Sequence, residues 1–176
     1  MRYRQSSTKE ASMNRRAFIG MAVCYAGSLC VFMKPCFAKA LEVVEKIMKS
    51  DDYWKKMLTP EQYDVLRHEG TEAPFTSPLL DEHRIGMFVC AGCGLELFPS
   101  KFKFDSGTGW PSFFDVIPGQ VEKKEDRTLM MTRTEYHCAR CGGHHGHIFN
   151  DGPPPTGLRY CDNGVVLKFV PDKGNS

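Results

Sequence analysis

Two Cys-x-x-Cys pairs, Cys90-Ala91-Gly92-Cys93 and Cys138-Ala139-Arg140-Cys141, carry the clearest chemistry in the chain. Each turn brings two sulfurs close enough to share one ion. Two turns supply four thiolates, the number and softness of ligand that tetrahedral Zn²⁺ prefers. Gly94 and Gly142 follow the pairs, and glycine there lets backbone amides turn toward sulfur without a clashing Cβ. A lone Cys-x-x-Cys is also a redox dithiol signature, and two pairs could form disulfides. Two matched pairs point instead to one structural zinc per chain, held in a four-cysteine clamp.

A second concentration of reactive residue types follows: His144, His145, His147, Asp151, Arg159, Tyr160, Cys161 and Asn163. Gly146, Gly152, Pro153, Pro154, Pro155 and Gly157 separate them, so rigid turns are expected to gather them. A thiol becomes nucleophilic when its thiolate is favoured, and a nearby Arg or His cation favours it. A histidine can deliver a proton near neutral pH. His144 and His147 stand three apart and share a face only if the segment is helical, which Gly146 disfavours. Plainer readings stand beside these. Cys161 could be a small buried hydrophobe, His145 a surface or packing residue, and Arg159 half of a surface ion pair. His144 or His147 could ligate zinc, although four sulfurs already fill a tetrahedron. Trp110, among Gly107, Gly109 and Pro111, could be core or the wall of an apolar pocket.

The elements that position these groups come after a segment of different character. The chain has 176 residues, enough for one domain and too few for two sizeable cores. Its net charge of +2 averages two unlike parts. Residues 1–40 carry seven Lys/Arg against Glu10 alone, a charge of +6, whereas residues 41–176 carry sixteen against twenty acids, a charge of −4. Asn14-Arg15-Arg16-Ala17-Phe18-Ile19 is a twin-arginine pattern, followed by an apolar run from Ala17 to Met33 and the small-residue site Ala38-Lys39-Ala40. Residues 1–40 are therefore expected to be an export signal that delivers a domain of residues 41–176 to the periplasm. An uncleaved anchor is the alternative. The run is about seventeen residues, short for a spanning helix, and holds Gly20, Gly27 and Ser28, so no stable anchor is expected. Cys24, Cys30 and Cys36 would leave with the signal. Four of the five remaining cysteines belong to the pairs, and Cys161 stands alone.

Apolar spacing over Leu41–Leu58 predicts helix with a break near Ser50, the second piece capped by Asp51 or Asp52. Thr59-Pro60-Glu61-Gln62 predicts a second helix, with a hydroxyl cap, proline in its first turn and Gln62 to complete a capping box. Residues 70–78 read as extended loop. Short strands are expected at Met87–Val89, Leu95–Phe98, Phe113–Ile117, Gln120–Lys124, Thr128–His137 and Val165–Val170, the last as a buried strand. The class is mainly β, with N-terminal helices and a metal tying two β turns together.

Tyr63-Asp64-Val65-Leu66-Arg67, Gly70-Thr71-Glu72, Pro74-Phe75, Phe104-Asp105-Ser106-Gly107, Gly109-Trp110-Pro111-Ser112-Phe113, His144-x-Gly146-His147, Asp151-Gly152-Pro153 and Arg159-Tyr160-Cys161-x-Asn163 strongly resemble the methionine-R-sulfoxide reductases. The resemblance spans about residues 53–171 and implies two antiparallel sheets with a few flanking helices. It implies that Cys161 attacks the sulfoxide sulfur, that His144, His147, Asp151, Arg159 and Asn163 are polar active-site residues, and that Trp110 receives the substrate methyl. It matches Cys90, Cys93, Cys138 and Cys141 to a structural zinc site. The implied substrate is methionine-R-sulfoxide, free or in proteins, and the implied reductant is an external thiol or a thioredoxin-like protein. Thr108 stands where many members carry a recycling cysteine, and His145 where an apolar residue is common.

Two rival classes differ in what they need. A zinc-ribbon module that binds nucleic acid would want a basic face, and the −4 domain argues against one. A thiol peroxidase using Cys161 would turn over peroxide without turning over methionine sulfoxide.

Overall fold

The computed structural model describes residues 43–128 and 132–174, so the export-signal reading of residues 1–40 lies outside the described residues. Helix α1 spans Asp51–Met57 and α2 spans Pro60–His68. Ser50, rather than Asp51 or Asp52, caps α1 by accepting from the Tyr53 amide. The helical spacing before it is not realised, and residues 43–49 hold no regular structure. There the Ile47 amide donates to the Arg140 carbonyl at 2.9 Å while Val44 and Ile47 pack on the core, so tertiary pairing overrides local spacing. Helix α2 opens as expected: Thr59 and Gln62 form a reciprocal capping box around Pro60. It closes at Glu69 in the left-handed region.

Nine strands follow among the described residues: β1 Gly86–Cys90, β2 Glu96–Pro99, β3 Lys103–Phe104, β4 Ser112–Phe113, β5 Val121–Asp126, β6 Arg133–Cys138, β7 His144–Phe149, β8 Arg159–Asp162 and β9 Leu167–Pro171. They form two sheets, ordered β2-β1-β9 and β3-β4-β8-β7-β6-β5, and every pairing is antiparallel. Phe88, Leu97, Phe98, Phe113, Tyr136 and Tyr160 fill the core. Phe98 and Phe113 stack there at 4.2 Å between ring centroids. The expected buried strand at 165–170 is an edge strand, β9, whose Val170 is largely exposed. The expected strand at 113–117 shrinks to β4.

The largest departure is at β7 and β8. The Gly- and Pro-rich stretch expected to be turns is mainly two central strands of the larger sheet, and only residues 150–158 remain as connection. Tyr136 pairs with Gly146 and His137 with His144, leaving His145 as an extra residue in β7. A bulge of this kind shifts the alternation of side chains by one. His144 and His147, three apart, therefore share a face although the segment is not helical. Gly146 pairs with Asp162 across β7 and β8, and a Cβ there would stand 1.9 Å from the Cys161 carbonyl oxygen. Gly146→Ala should therefore force β7 and β8 apart. It should cost roughly 1–3 kcal/mol, read as a lower denaturation midpoint at unchanged slope, and it should reduce turnover.

Candidate active site

Register determines which side chains share the face of the sheet away from the core. Ser112 pairs with Cys161, Cys161 with His147, and His147 with Glu135, and facing residues project to one side. Arg159, two residues before Cys161, and Arg133, two before Glu135, lie on that same side. The opposite side carries Phe113, Tyr160 and Tyr136 into the core.

A cavity of about 130 Å³ opens on the outer face, lined by Thr71, Trp110, Arg133, Gly146, His147, Phe149, Cys161, Asp162 and Asn163. Cys161 is partly buried and forms no disulfide among the described residues. Burial pushes its thiol up from the ordinary range; the Arg159 guanidinium and the Thr108 hydroxyl work against this, and the neighbouring Asp162 adds to it. Arg159 is buried, and its Nε and Nη2 donate to the two Asp151 oxygens at 2.8 and 2.9 Å. Its Nη1 is buried without a partner among the described residues. Asp151 does not line the cavity but fixes the arginine, and the Phe149 ring lies 4.3 Å from the guanidinium carbon. Thr108 meets Ser106, and Ser106 meets Ser112, both at 2.8 Å, forming a short chain of hydroxyls beside the thiol.

The two histidines have different surroundings. His147 lines the cavity, and its Nε2 lies 2.8 Å from the Asp126 carboxylate. Asp126 also accepts from Thr128 and, at 2.5 Å, from Arg133. These bonds hold the carboxyl well below the usual range, those from Thr128 most strongly. His144 is not part of the lining. It is buried behind His147, the rings 5.6 Å apart, with Nδ1 2.5 Å from Glu135 Oε1 and Nε2 unpartnered among the described residues. Burial holds the His144 ring below the usual imidazole range, with Glu135 pulling the other way. Donation of Nδ1–H to that carboxylate leaves Nε2 as the basic nitrogen.

Glu72, quoted in the sequence only as part of a motif, joins the far wall. Its carboxylate accepts from the amides of Gly164 and Val165 at 2.5 and 2.8 Å. Its own amide donates to Asn163 Oδ1 at 3.0 Å, and its carbonyl accepts from Trp110 Nε1 at 3.1 Å. One residue thus orients two cavity walls. Asn163 is further held by donation from Nδ2 to the His145 carbonyl at 2.8 Å. Asp126, Arg133 and Glu135 carried no sequence signal of their own, because their place in the site is set only by cross-strand register.

The four paired cysteines converge beneath helix α2. Cys90 and Cys141 sulfurs lie 3.7 Å apart, those of Cys93 and Cys138 lie 3.4 Å apart, and all four fall within 4.8 Å of one another. Zn–S bonds of about 2.3 Å in a tetrahedron need sulfurs about 3.7 Å apart, so the donor set fits a single ion. The two turns match in backbone: Cys90 N–H donates to Leu95 and Cys138 N–H to Gly143, while Gly94 and Gly142 donate back to Cys90 and Cys138. Helix α2 closes over them, with Arg67 donating to the Cys141 carbonyl at 3.1 Å. Glu135, His137 and His144 also lie close enough to share an ion. Lys124 stands 3.4 Å from Glu135, however, and Glu135 already receives His144, an arrangement that serves to support the histidine.

Comparison with known proteins agrees with this geometry. The SelR domain family matches residues 58–171. A protein of Leifsonia xyli subsp. xyli named peptide methionine sulfoxide reductase MsrB is 57% identical over 72% of this chain and 93% of its own. One of the same name from Methanosarcina barkeri is 56% identical over 70% and 87%. Another from Herminiimonas arsenicoxydans is 50% identical over 76% of this chain and all of its own. With a family match over most of its length and relatives more than half identical, the chain belongs to the SelR-domain family of MsrB-type peptide methionine sulfoxide reductases.

Proposed function

We propose that this protein reduces methionine-R-sulfoxide to methionine with Cys161 as the nucleophile. One observation carries the assignment of roles: Cys161 and His147 face each other across β8 and β7 inside a cavity walled by Trp110 and Asn163. The Cys161 thiolate attacks the sulfoxide sulfur, and the sulfoxide oxygen must take up a proton before it can leave. His147 stands where that proton is needed. Asp126 orients its ring through Nε2, so Nδ1 is the nitrogen free for exchange. His144 acts through His147, with its tautomer held by Glu135. Arg159, fixed by Asp151, offers Nη1 to the thiolate and to the oxygen as charge develops. The Trp110 ring, pinned through Nε1, provides the apolar contact for the substrate methyl.

The step balances as a two-electron exchange. Attack forms a Cys161–substrate S–S bond as the protonated oxygen leaves as water. Water then adds to the Cys161 sulfur and breaks that bond, so the substrate sulfur departs as the thioether and Cys161, oxidised by two electrons, is left as a sulfenic acid. Thr108 lies beside Cys161 and offers a hydroxyl, not a second sulfur, so an external thiol completes the cycle. That thiol attacks the sulfenic sulfur, releasing water and leaving a mixed disulfide, which a second thiol reduces. A dithiol protein of the thioredoxin kind supplies both.

Cys90, Cys93, Cys138 and Cys141 would hold one zinc ion, whose contribution would be structural, fastening the β1–β2 turn to the β6–β7 turn. The signal pattern in residues 1–40, with Arg15-Arg16 and Ala38-Lys39-Ala40, supports export to the periplasm, with the mature chain starting near Leu41.

Assay of the separated sulfoxide epimers with dithiothreitol should show turnover of the R form alone. Cys161→Ser should abolish it while leaving the fold intact. Peroxide turnover without sulfoxide turnover would favour the peroxidase reading. One equivalent of R-sulfoxide, given without reductant and with a sulfenic-acid trap, should leave a trapped adduct at Cys161; a disulfide to a zinc cysteine with metal release would overturn the recycling scheme. Cys93→Ser should lose metal and cooperative unfolding together, since metal-binding free energy is folding free energy in such a clamp. A folded, active, metal-free protein would refute the structural role. Arg15→Lys with Arg16→Lys should retain precursor in the cytoplasm, and unchanged delivery to the periplasm would point to another route.

A further inference from the structure

Directly behind the nucleophile lies a polar cluster that the reaction scheme does not use. Asp162, the residue after Cys161, points into the core with its side chain fully buried. Tyr136 Oη donates to Asp162 Oδ2 at 2.8 Å. His145 Nδ1 lies 3.1 and 3.2 Å from the two carboxylate oxygens. Tyr136 and His145 are both 0% exposed, and their rings stack at 6.2 Å between centroids. His145 is the bulge residue of β7, and its carbonyl accepts from both the amide and the side chain of Asn163. The cluster therefore grips both residues that follow the nucleophile, from the opposite face of the sheet.

A buried carboxylate without compensation is costly and exerts a strong local field. Placed next to a thiol that must ionise, it would oppose the thiolate. We propose that His145 and Tyr136 are positioning residues for the reduction: they bind and compensate the Asp162 carboxylate, so that the thiolate of Cys161 can form one residue away. The proposal rests on Cys161 being the nucleophile. An apolar side chain at 145 would leave Asp162 half satisfied. The other groups facing Cys161 are Arg159 on its own strand, Ser112 and His147 across from it, Thr108 beside it, and Arg133 and Asn163 in the shared cavity. Asp151 and Asp126 act on it only through Arg159 and His147.

The test is the pH midpoint of Cys161 alkylation by iodoacetamide, followed by mass spectrometry of the Cys161 peptide in the metal-loaded mature chain. His145→Leu, which unmasks the carboxylate, should raise that midpoint by about one unit, a roughly tenfold loss of thiolate at neutral pH. Tyr136→Phe, which removes one hydrogen bond and keeps the ring, should raise it by less. Asp162→Asn should lower it below the parent value, and His145→Leu combined with Asp162→Val should return it to the parent value or below. If His145→Leu does not fold, the opposite shifts of Tyr136→Phe and Asp162→Asn decide the matter. A midpoint unchanged in those folded variants, even with lower turnover, would overturn the proposal and leave the cluster a packing feature. The midpoint is read independently of turnover. Retained activity in Cys161→Ser would thus defeat the nucleophile assignment separately from the electrostatic one.

Discussion

The site depends on the close antiparallel contact of β7 with β8 around Gly146, and on the one extra residue that β7 carries there. A regular strand would send His144 and His147 to opposite faces, since side chains alternate. The bulge at His145 inserts one residue against β6, and both rings then face the side of Cys161. The same residue turns inward, where its ring meets Asp162 and its carbonyl receives Asn163. A single irregularity of pairing thus sorts three histidines into one cavity-lining ring, one ring behind it and one core ring. Gly146 is the condition for it, because any Cβ would collide with the Cys161 carbonyl.

Around this contact the protein places fixed polar partners rather than free charges. Among the described residues, the polar groups named around Cys161 are held by others: Arg159 by Asp151, His147 and Arg133 by Asp126, His144 by Glu135, Asp162 by Tyr136 and His145. Buried groups so paired avoid the cost of lost hydration and keep a single geometry. The thiol receives opposing influences from burial, Arg159, Asp162 and Thr108. Its readiness to ionise is a balance among them, and no one residue sets it.

Two tethers keep the cavity walls in register with the sheet. Glu72 reaches from the loop after α2 to the amides of Gly164 and Val165, and in doing so aligns Trp110 with Asn163. The cluster of four cysteines joins the turn after β1 to the turn after β6, and so ties the smaller sheet to the larger. A domain of this size has a modest core, and an ion held by these four cysteines would add the long-range closure that apolar burial alone supplies weakly.

Local chemistry in the chain was enough to announce the parts whose cause is local. The α2 capping box, the two knuckles with their following glycines, the β-rich class and the residues that carry the family resemblance all follow from neighbours in sequence. Residues 43–49 show the limit: their helical spacing yields to a backbone bond with Arg140, a partner far along the chain. β7 and β8 show it more strongly. Their glycines, histidines and charges look like turn composition, because central strands that carry a site lack the apolar alternation that marks ordinary ones. The roles of Asp126, Glu135 and Glu72, and the inward turn of His145, were decided only by tertiary structure. Each depends on which residue lies opposite across a strand pair, and register is a property of the assembled sheet that no short window of sequence contains.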